Sequence, residues 1–496
     1  MDAGDGGGLV ADLGWVAVGL VVGALLAAAV SASLGLALGS IGGDDATVVD
    51  RGNLTLPDEA TRLHDRGVTG SNVTVGVLDA TGFDTDHPAL RDRVVAARTF
   101  GRANHVTNGG VNSHGTAAAI TVAATAPDAD LLLANANSPG SAVRGVQWLV
   151  DRGADVVVVE FNRLGAPDDG TAPLSRAATR ARETGTLVVA PTGNHARGHW
   201  AGSLRPDGEG THEFPDGVRN ELLPLSSRSS TAGPVELWLT WTDGADRDVD
   251  LTLELYRAAP DGPERVATSE RVERDAPRSA RVESERVETS VGPGSYFVAV
   301  RVDSGSESAA SDVRLEVEST THGLEQARRA GSVAAPATAR GVLGVGAYDG
   351  DSDAVAAYSG RGPTADGRRG VDVVAPVGLW DEWPGRGDTG TSVAAAYAGG
   401  AAALALDANP SLGPDGVQRA LESSAGGVGP PGVDPVAGHG RLDASAAVGR
   451  IAPDSTAETE HRPSILGPLA LLAAPLLGAA SAVLGRGSQA DWRRDR

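Results

Sequence analysis

Val73-Thr74-Val75-Gly76-Val77-Leu78-Asp79 is the stretch that decides the fold. Its valines alternate and run into Leu78, which reads as a buried strand, and the carboxylate of Asp79 closes it. Downstream the pattern returns. Leu131-Leu132-Leu133, Val156 to Val159, Leu187 to Ala190, Val342 to Val345 and Val371 to Ala375 are short apolar strands. Helical stretches stand between them: Ala117 to Ala126, which stops at Pro127, then Ser141 to Arg152, Leu174 to Thr184, and one from near Ser392 to about Asp407. Strands alternating with helices predict an α/β fold, a doubly wound parallel sheet covered on both faces.

In such a sheet, chemistry gathers at the carboxyl ends of strands and at the helices that follow. Four short stretches fall there in order. Asp79 ends the first strand, where a carboxylate can orient an imidazole and stabilise its charged form. Ser113-His114-Gly115-Thr116 opens a helix, and His114 can take a proton from a hydroxyl. Gly193-Asn194 follows the Leu187 strand, and the Asn194 amide can donate to an oxyanion. Gly390-Thr391-Ser392 opens the last long helix, so the backbone N–H of Ser392 and the helix dipole favour negative charge beside its hydroxyl. Each has a plainer reading when taken alone: a strand-end loop carboxylate, a helix-capping polar residue, a Gly-Asn turn, a Gly-Thr-Ser in a Gly/Ala-rich chain. The ordered set is far more specific. Asp, His and Ser in that order are the parts of a nucleophilic acyl-transfer site.

The neighbourhoods extend the match, and together they resemble the subtilisin-like serine peptidases, the subtilases. Val-Gly-Val-Leu-Asp79 with His87-Pro88-Ala89-Leu90 is similar to that family's aspartate motif and its H-P-x-L. Ala126-Pro127-Asp128-Ala129 resembles its A-P-x-A strand entry, and Gly153-Ala154-Asp155-Val156 the run before its substrate-binding strand. Ala357-Tyr358-Ser359-Gly360-Arg361-Gly362-Pro363, Asp366-Gly367-Arg368 and Asp372-Val373-Val374-Ala375-Pro376 are similar to S-x-x-G-P, D-G-R and D-V-x-A-P. The resemblance covers roughly 60–199 and 323–448. It implies Asp79, His114 and Ser392 as a triad, Asn194 in the oxyanion hole, and Asn162-Arg163-Leu164-Gly165 with Gly193 at the substrate, the first four replacing an S-L-G strand that pairs with extended peptide. Protein or peptide substrates are then expected, with no cofactor and no catalytic metal. The rival expectation is a pseudo-peptidase that binds peptides without cutting them. Its support is the extra residue in Asp79-Ala80-Thr81-Gly82 relative to D-T/S-G and the unusual Val393-Ala394-Ala395-Ala396-Tyr397 after the serine. Ala117 also replaces a second histidine, Pro191-Thr192 stand where small residues are usual, and Arg163 stands where serine is common.

Between about 200 and 322 helical periodicity disappears. Strict alternation takes over in Val235/Leu237/Leu239/Trp241, Val249/Leu251/Leu253/Leu255, Tyr296/Val298/Val300/Val302 and Val313/Leu315/Val317, with turns at Asp261-Gly262-Pro263 and Gly292-Pro293-Gly294. This predicts an inserted antiparallel β-sandwich. Asp248-Val249-Asp250-Leu251 and Gly292-Pro293-Gly294-Ser295-Tyr296-Phe297 resemble the pre-peptidase C-terminal type of sandwich. Asp243, Asp246, Asp248 and Asp250 offer a structural calcium site, against the plainer reading of a solvated acidic face. Asn53-Leu54-Thr55 and Asn72-Val73-Thr74 are glycosylation triplets by pattern. His195 and His199 flank Asn194, but no third ligand stands at metal-site spacing, so zinc is not expected.

The chain has 496 residues, a formal charge of -22, no cysteine and no lysine, so all 42 basic residues are arginine. Disulfides and thiolate metal sites are excluded. So acidic a surface disfavours nucleic acid, and with the Ala/Gly/Val bias it points to a salt-adapted organism. Leu13 to Ile41 and Ile465 to Leu484 carry no charge over 29 and 20 residues. Each is long enough to cross a bilayer at roughly 20 residues per span. The basic tail after the second (Arg486, Arg493, Arg494 and Arg496) belongs in the cytoplasm, which turns the middle of the chain outward. The expected order is a membrane segment, anchor or signal, over 1–44; a peptidase domain over 45–199 and 323–450, split by the insertion at 200–322; a linker over 451–463; a transmembrane helix over 464–485; and a tail over 486–496. That order makes the protein a cell-membrane protein with its catalytic domain outside the cytoplasm. The short polar stalk leaves no room for an inhibitory propeptide.

Overall fold

The computed structural model describes residues 54–101, 113–225, 230–242, 249–272, 282–304, 313–380 and 390–451. In chain order the first part runs α1 (Asp58–Asp65), β1 (Thr74–Asp79), β2 (Val94–Phe100), α2 (His114–Thr125), β3 (Asp130–Ala136), α3 (Pro139–Asp151), β4 (Val156–Val159), α4 (Pro173–Glu183) and β5 (Leu187–Pro191). A strand-rich part follows: β6 (His199–Ser203), β7 (Asn220–Leu223), β8 (Gly233–Thr242), β9 (Asp250–Arg257), β10 (Glu264–Thr268), β11 (Glu270–Arg271), β12 (Val282–Val291), β13 (Tyr296–Ser304), β14 (Arg314–Ser319) and β15 (Gly323–Leu324). The last part holds β16 (Leu343–Asp349), β17 (Ala354–Val355), β18 (Val373–Pro376), α5 (Thr391–Ala408), α6 (Pro414–Ser424) and α7 (Ala444–Ile451).

The main sheet has the order β17-β16-β5-β4-β1-β3-β2, with β18 also paired to β16. Every pairing is parallel except the short β17 against β16. Four consecutive valines show why the sheet must be covered twice. Successive side chains of a strand point to opposite faces. Val156 and Val158 enter a cluster built with α2 and α5, whereas Val157 and Val159 enter one built with α3 and α4. All four are fully buried. At about 1.5–3 kcal/mol per buried side chain, neither cover is dispensable.

The winding direction reverses at β1, whose neighbours are β3 on one side and β4 on the other. That reversal opens a crevice at the carboxyl ends of β1 and β4, where such folds place their chemistry. Helix α5 starts at this end of the sheet and is buried from Thr391 to Ala405. A helix apolar all round is one enclosed on every side. Gly399 lets it come close: a Cβ there would lie 2.3 Å from Val158 Cγ2.

Residues 199–324 form two five-stranded antiparallel sheets, β10-β9-β13-β7-β15 and β11-β12-β8-β14-β6. Their facing side chains, among them Leu237, Leu239, Trp241, Leu253, Val298 and Leu315, make a third apolar cluster. The other face of β8 is buried as well: Glu236, Trp238 and Thr240 are 1%, 4% and 6% exposed. Trp238 packs on Leu164 and Ala334 of the main domain.

Leu13–Ile41, Ile465–Leu484, Asn53 and the acids Asp243, Asp246 and Asp248 lie outside the described residues. Among those described, no helix is long and apolar enough to cross a membrane. Asp250 is described and pairs with Arg271 at 2.6 Å.

Candidate active site

Asp79 sits at the end of β1 and is fully buried. Its Oδ2 lies 2.7 Å from Nδ1 of His114, the first residue of α2. Its Oδ1 accepts two bonds from Thr81, one from the backbone N–H and one from the hydroxyl, both at 2.6 Å. Thr81 Oγ1 in turn accepts the N–H of Gly115 at 3.0 Å. The residue that looks surplus after Asp79 is thus accommodated in a turn. Thr81 takes up the carboxylate from two positions on and ties that turn to the helix bearing His114. Sequence reasoning gave Thr81 no role.

Ser392 is the second residue of α5, and its hydroxyl donates to the backbone carbonyl of Glu160 at 3.1 Å. The start of the same helix holds Asn194. The N–H and hydroxyl of Thr391 both donate to Asn194 Oδ1, at 2.8 and 2.9 Å. Gly193 N–H donates to Thr391 Oγ1 at 3.3 Å. With its oxygen fixed, the Asn194 amide nitrogen is turned toward Gly390, where a Cβ would come within 2.5 Å of it. Asn194 is the exposed member of the group, while Asp79, His114 and Ser392 are 0%, 5% and 6% exposed. An amide donor, a helix N-terminus and a hydroxyl therefore converge on one edge of the crevice.

Glu160 joins the two halves and was not singled out in the sequence. It follows β4 directly, beside the end of β1, and its N–H donates to Leu78 carbonyl at 2.9 Å. Its carbonyl receives Ser392. Its carboxyl is fully buried, and neither oxygen has a hydrogen-bond partner among the described residues. Burial, and then the neighbouring Asp79, hold this carboxyl well above the usual range. A buried carboxyl beside another carboxyl is pushed toward its neutral form.

Asn162 and the three residues after it, Arg163-Leu164-Gly165, make different contacts. Asn162 borders the crevice: its amide donates to Pro191 carbonyl at 2.7 Å, and Gly193 is nearby. The next three residues turn away. Arg163 N–H donates to Ala335 carbonyl at 2.8 Å. Leu164 is buried under Trp238, and a Cβ on Gly165 would lie 2.3 Å from the Trp238 ring. Gly165 N–H donates to Glu318 Oε2 at 3.3 Å. The backbone carbonyl beside Ser392 is that of Glu160, the residue directly after β4.

The sequence model of the Subtilase family matches residues 70–221 and 282–440. Over 151 residues the chain is 34% identical to subtilisin E of Bacillus subtilis, a match covering 27% of this chain and 38% of subtilisin E. It is 36% identical over 155 residues to subtilisin Savinase of Lederbergia lenta, covering 28% of this chain and 54% of that protein. The matched stretch is thus well under two thirds of either relative's length. In fold the chain is similar to the CspB protease of Clostridium perfringens, with a TM-score of 0.54 at 16% identity, covering 79% of this chain and 97% of that one.

Proposed function

The chain belongs to the subtilase family, and from that premise we propose that it is a serine endopeptidase acting through Asp79, His114 and Ser392. The observation that carries the reading is the 2.7 Å contact of His114 Nδ1 with a buried Asp79, together with a serine at a helix N-terminus whose hydroxyl meets the carbonyl of Glu160, itself bonded to the end of the Asp79 strand. Asp79 fixes the ring so that Nε2 acts as the base. His114 takes the Ser392 proton as Oγ attacks a peptide carbonyl. The Asn194 amide and the Ser392 N–H receive the oxyanion. The imidazolium then returns its proton to the leaving amine, and water activated by the same ring releases the acyl group from Ser392. Asn162 and Gly193 border the peptide, with the backbone of Glu160 to Asn162 as the edge it lies along.

We further propose that the two antiparallel sheets act as an inserted β-sandwich that walls one end of the cleft. Leu13–Ile41 and Ile465–Leu484 would tether the enzyme, with the catalytic domain outside the cytoplasm. The first is a retained anchor or a signal. Its substrates would then be extracytoplasmic proteins or peptides. The test is labelling of the folded full-length chain by a fluorophosphonate. The native chain should react and Ser392→Ala should not. A folded native chain that binds peptide but stays unlabelled would make it a binding protein and end the peptidase reading.

A further inference from the structure

The turn that carries Asn194 is anchored on its far side by a buried set of charged groups drawn from three parts of the chain. Asp168 comes from the loop after β4, His195 and His199 from the segment after β5, and Glu316 and Glu318 from β14. Asp168, Glu316 and Glu318 each offer a carboxylate oxygen, and these three atoms lie within 4.8 Å of one another. Two residues apart on a strand, Glu316 and Glu318 share a face while Leu315 and Val317 face the opposite core. The side chains of Glu318, His195 and His199 are 2%, 3% and 0% exposed, and that of Glu316 is 16% exposed.

The imidazoles point to what this cluster holds. His199 donates its Nδ1–H to the backbone carbonyl of Arg328, which turns Nε2 onto Glu316 Oε1. A ring fixed through a backbone carbonyl, with its other nitrogen aimed at acidic oxygens, is the usual posture of a metal-binding histidine. His195 Nε2 lies 3.1 Å from Glu318 Oε1, yet neither atom has a well-directed hydrogen bond. A proton on Nε2 or a bound cation would each supply the positive charge that such a ring-to-acid approach calls for.

We propose that Asp168, Glu316, Glu318, His195 and His199 form a site for one divalent first-row cation of the Zn2+ or Mn2+ kind. Imidazole with carboxylate suits those ions, whereas Ca2+ asks for six to eight oxygens. The sequence hides the site because His195 and His199 have their acidic partners elsewhere in the chain, two of them on a strand of the inserted sheets. The cation would fasten β14 to the turn that presents Asn194.

The test uses the full-length chain without a polyhistidine tag, stripped with a chelator and titrated with Zn2+, Mn2+ and Ca2+ by calorimetry, with the Co2+ absorption spectrum as a second readout. One equivalent of Zn2+ or Mn2+ should bind. Glu318→Gln and the more exposed Glu316→Gln, both checked for native circular dichroism, should each weaken binding at least tenfold and change the Co2+ bands. No stoichiometric uptake, uptake of Ca2+ alone, or undiminished uptake in both variants would overturn the site and leave protons as the charge between rings and acids. Fluorophosphonate labelling is read separately, on the chain as purified before chelation. A chain that labels but binds no cation loses this proposal and keeps the peptidase reading, and the converse result does the reverse.

Discussion

Asn194 is held by its oxygen, and that is what gives its nitrogen a direction. Asn194→Ala should leave the Asp79–His114 pair in place and remove one oxyanion donor. The expected loss is about 100- to 1,000-fold in kcat with little change in KM, read from steady-state peptide hydrolysis. A variant at near-native rate would mean that the amide does not face the oxyanion. Glu160 makes a different prediction. Its carboxyl is raised by burial and by Asp79, so the folded chain keeps its proton above the pH at which the unfolded chain, with a pKa of about 4.3, releases it. The sign follows from linkage: the unfolded state binds fewer protons there, so stability falls as pH rises from that value toward the folded pKa. Glu160→Gln removes the penalty. Its melting temperature should exceed the native one at neutral and alkaline pH, and the gap should close in acid. Thermal melts across pH decide it, and a gap that does not depend on pH would refute the assignment. Asp79, His114, Asn194 and Ser392 were legible because a motif travels with its spacing. Glu160 and Thr81 were not, because their parts depend on which strand end lies beside which.

Among elements, α5 has the least freedom. It runs through the core with Gly399 against Val158. Gly399→Ala gains about 1 kcal/mol of helix propensity, which offsets much of the overpacking cost of about 1–3 kcal/mol. Gly399→Val gains less and intrudes further, so packing wins and the variant should melt a few degrees lower; calorimetry showing an unchanged melt would mean that the helix can move off the sheet. The same geometry explains what periodicity could foresee. Val156 to Val159 and the α5 run were readable because their environment is uniform along their length. β12 was missed because Glu283, Glu285, Arg286 and Glu288 break any apolar alternation. β2 was missed because it is an edge strand, buried at Phe100 and partly or fully exposed elsewhere. The burial of the outer faces of β8 and β14 was not legible, because a strand's alternation tells which side meets its own core, not whether another part of the chain covers the other side.

For the whole molecule, the charge is the simplest lever. A formal -22 carried by 64 acids against 42 arginines makes the compact state repel itself. Raising NaCl from about 0.1 M to about 1 M shortens the screening length from about 10 Å to about 3 Å. The melting temperature of the full chain should therefore climb across that range, and a melt insensitive to salt would show that the acids are already balanced locally. The bonds from Thr391 to Asn194 have a further consequence, which concerns time. They join residues 197 positions apart, with two whole sheets of chain between them. At about 5–20 residues per second, a ribosome takes about 10–40 s to pass from one to the other. During that interval Asn194 has no Thr391 to hold its oxygen, and on the proposed reading Asp79 and His114 have no serine to act on. If the proposed peptidase reading holds, activity would arrive only late in synthesis.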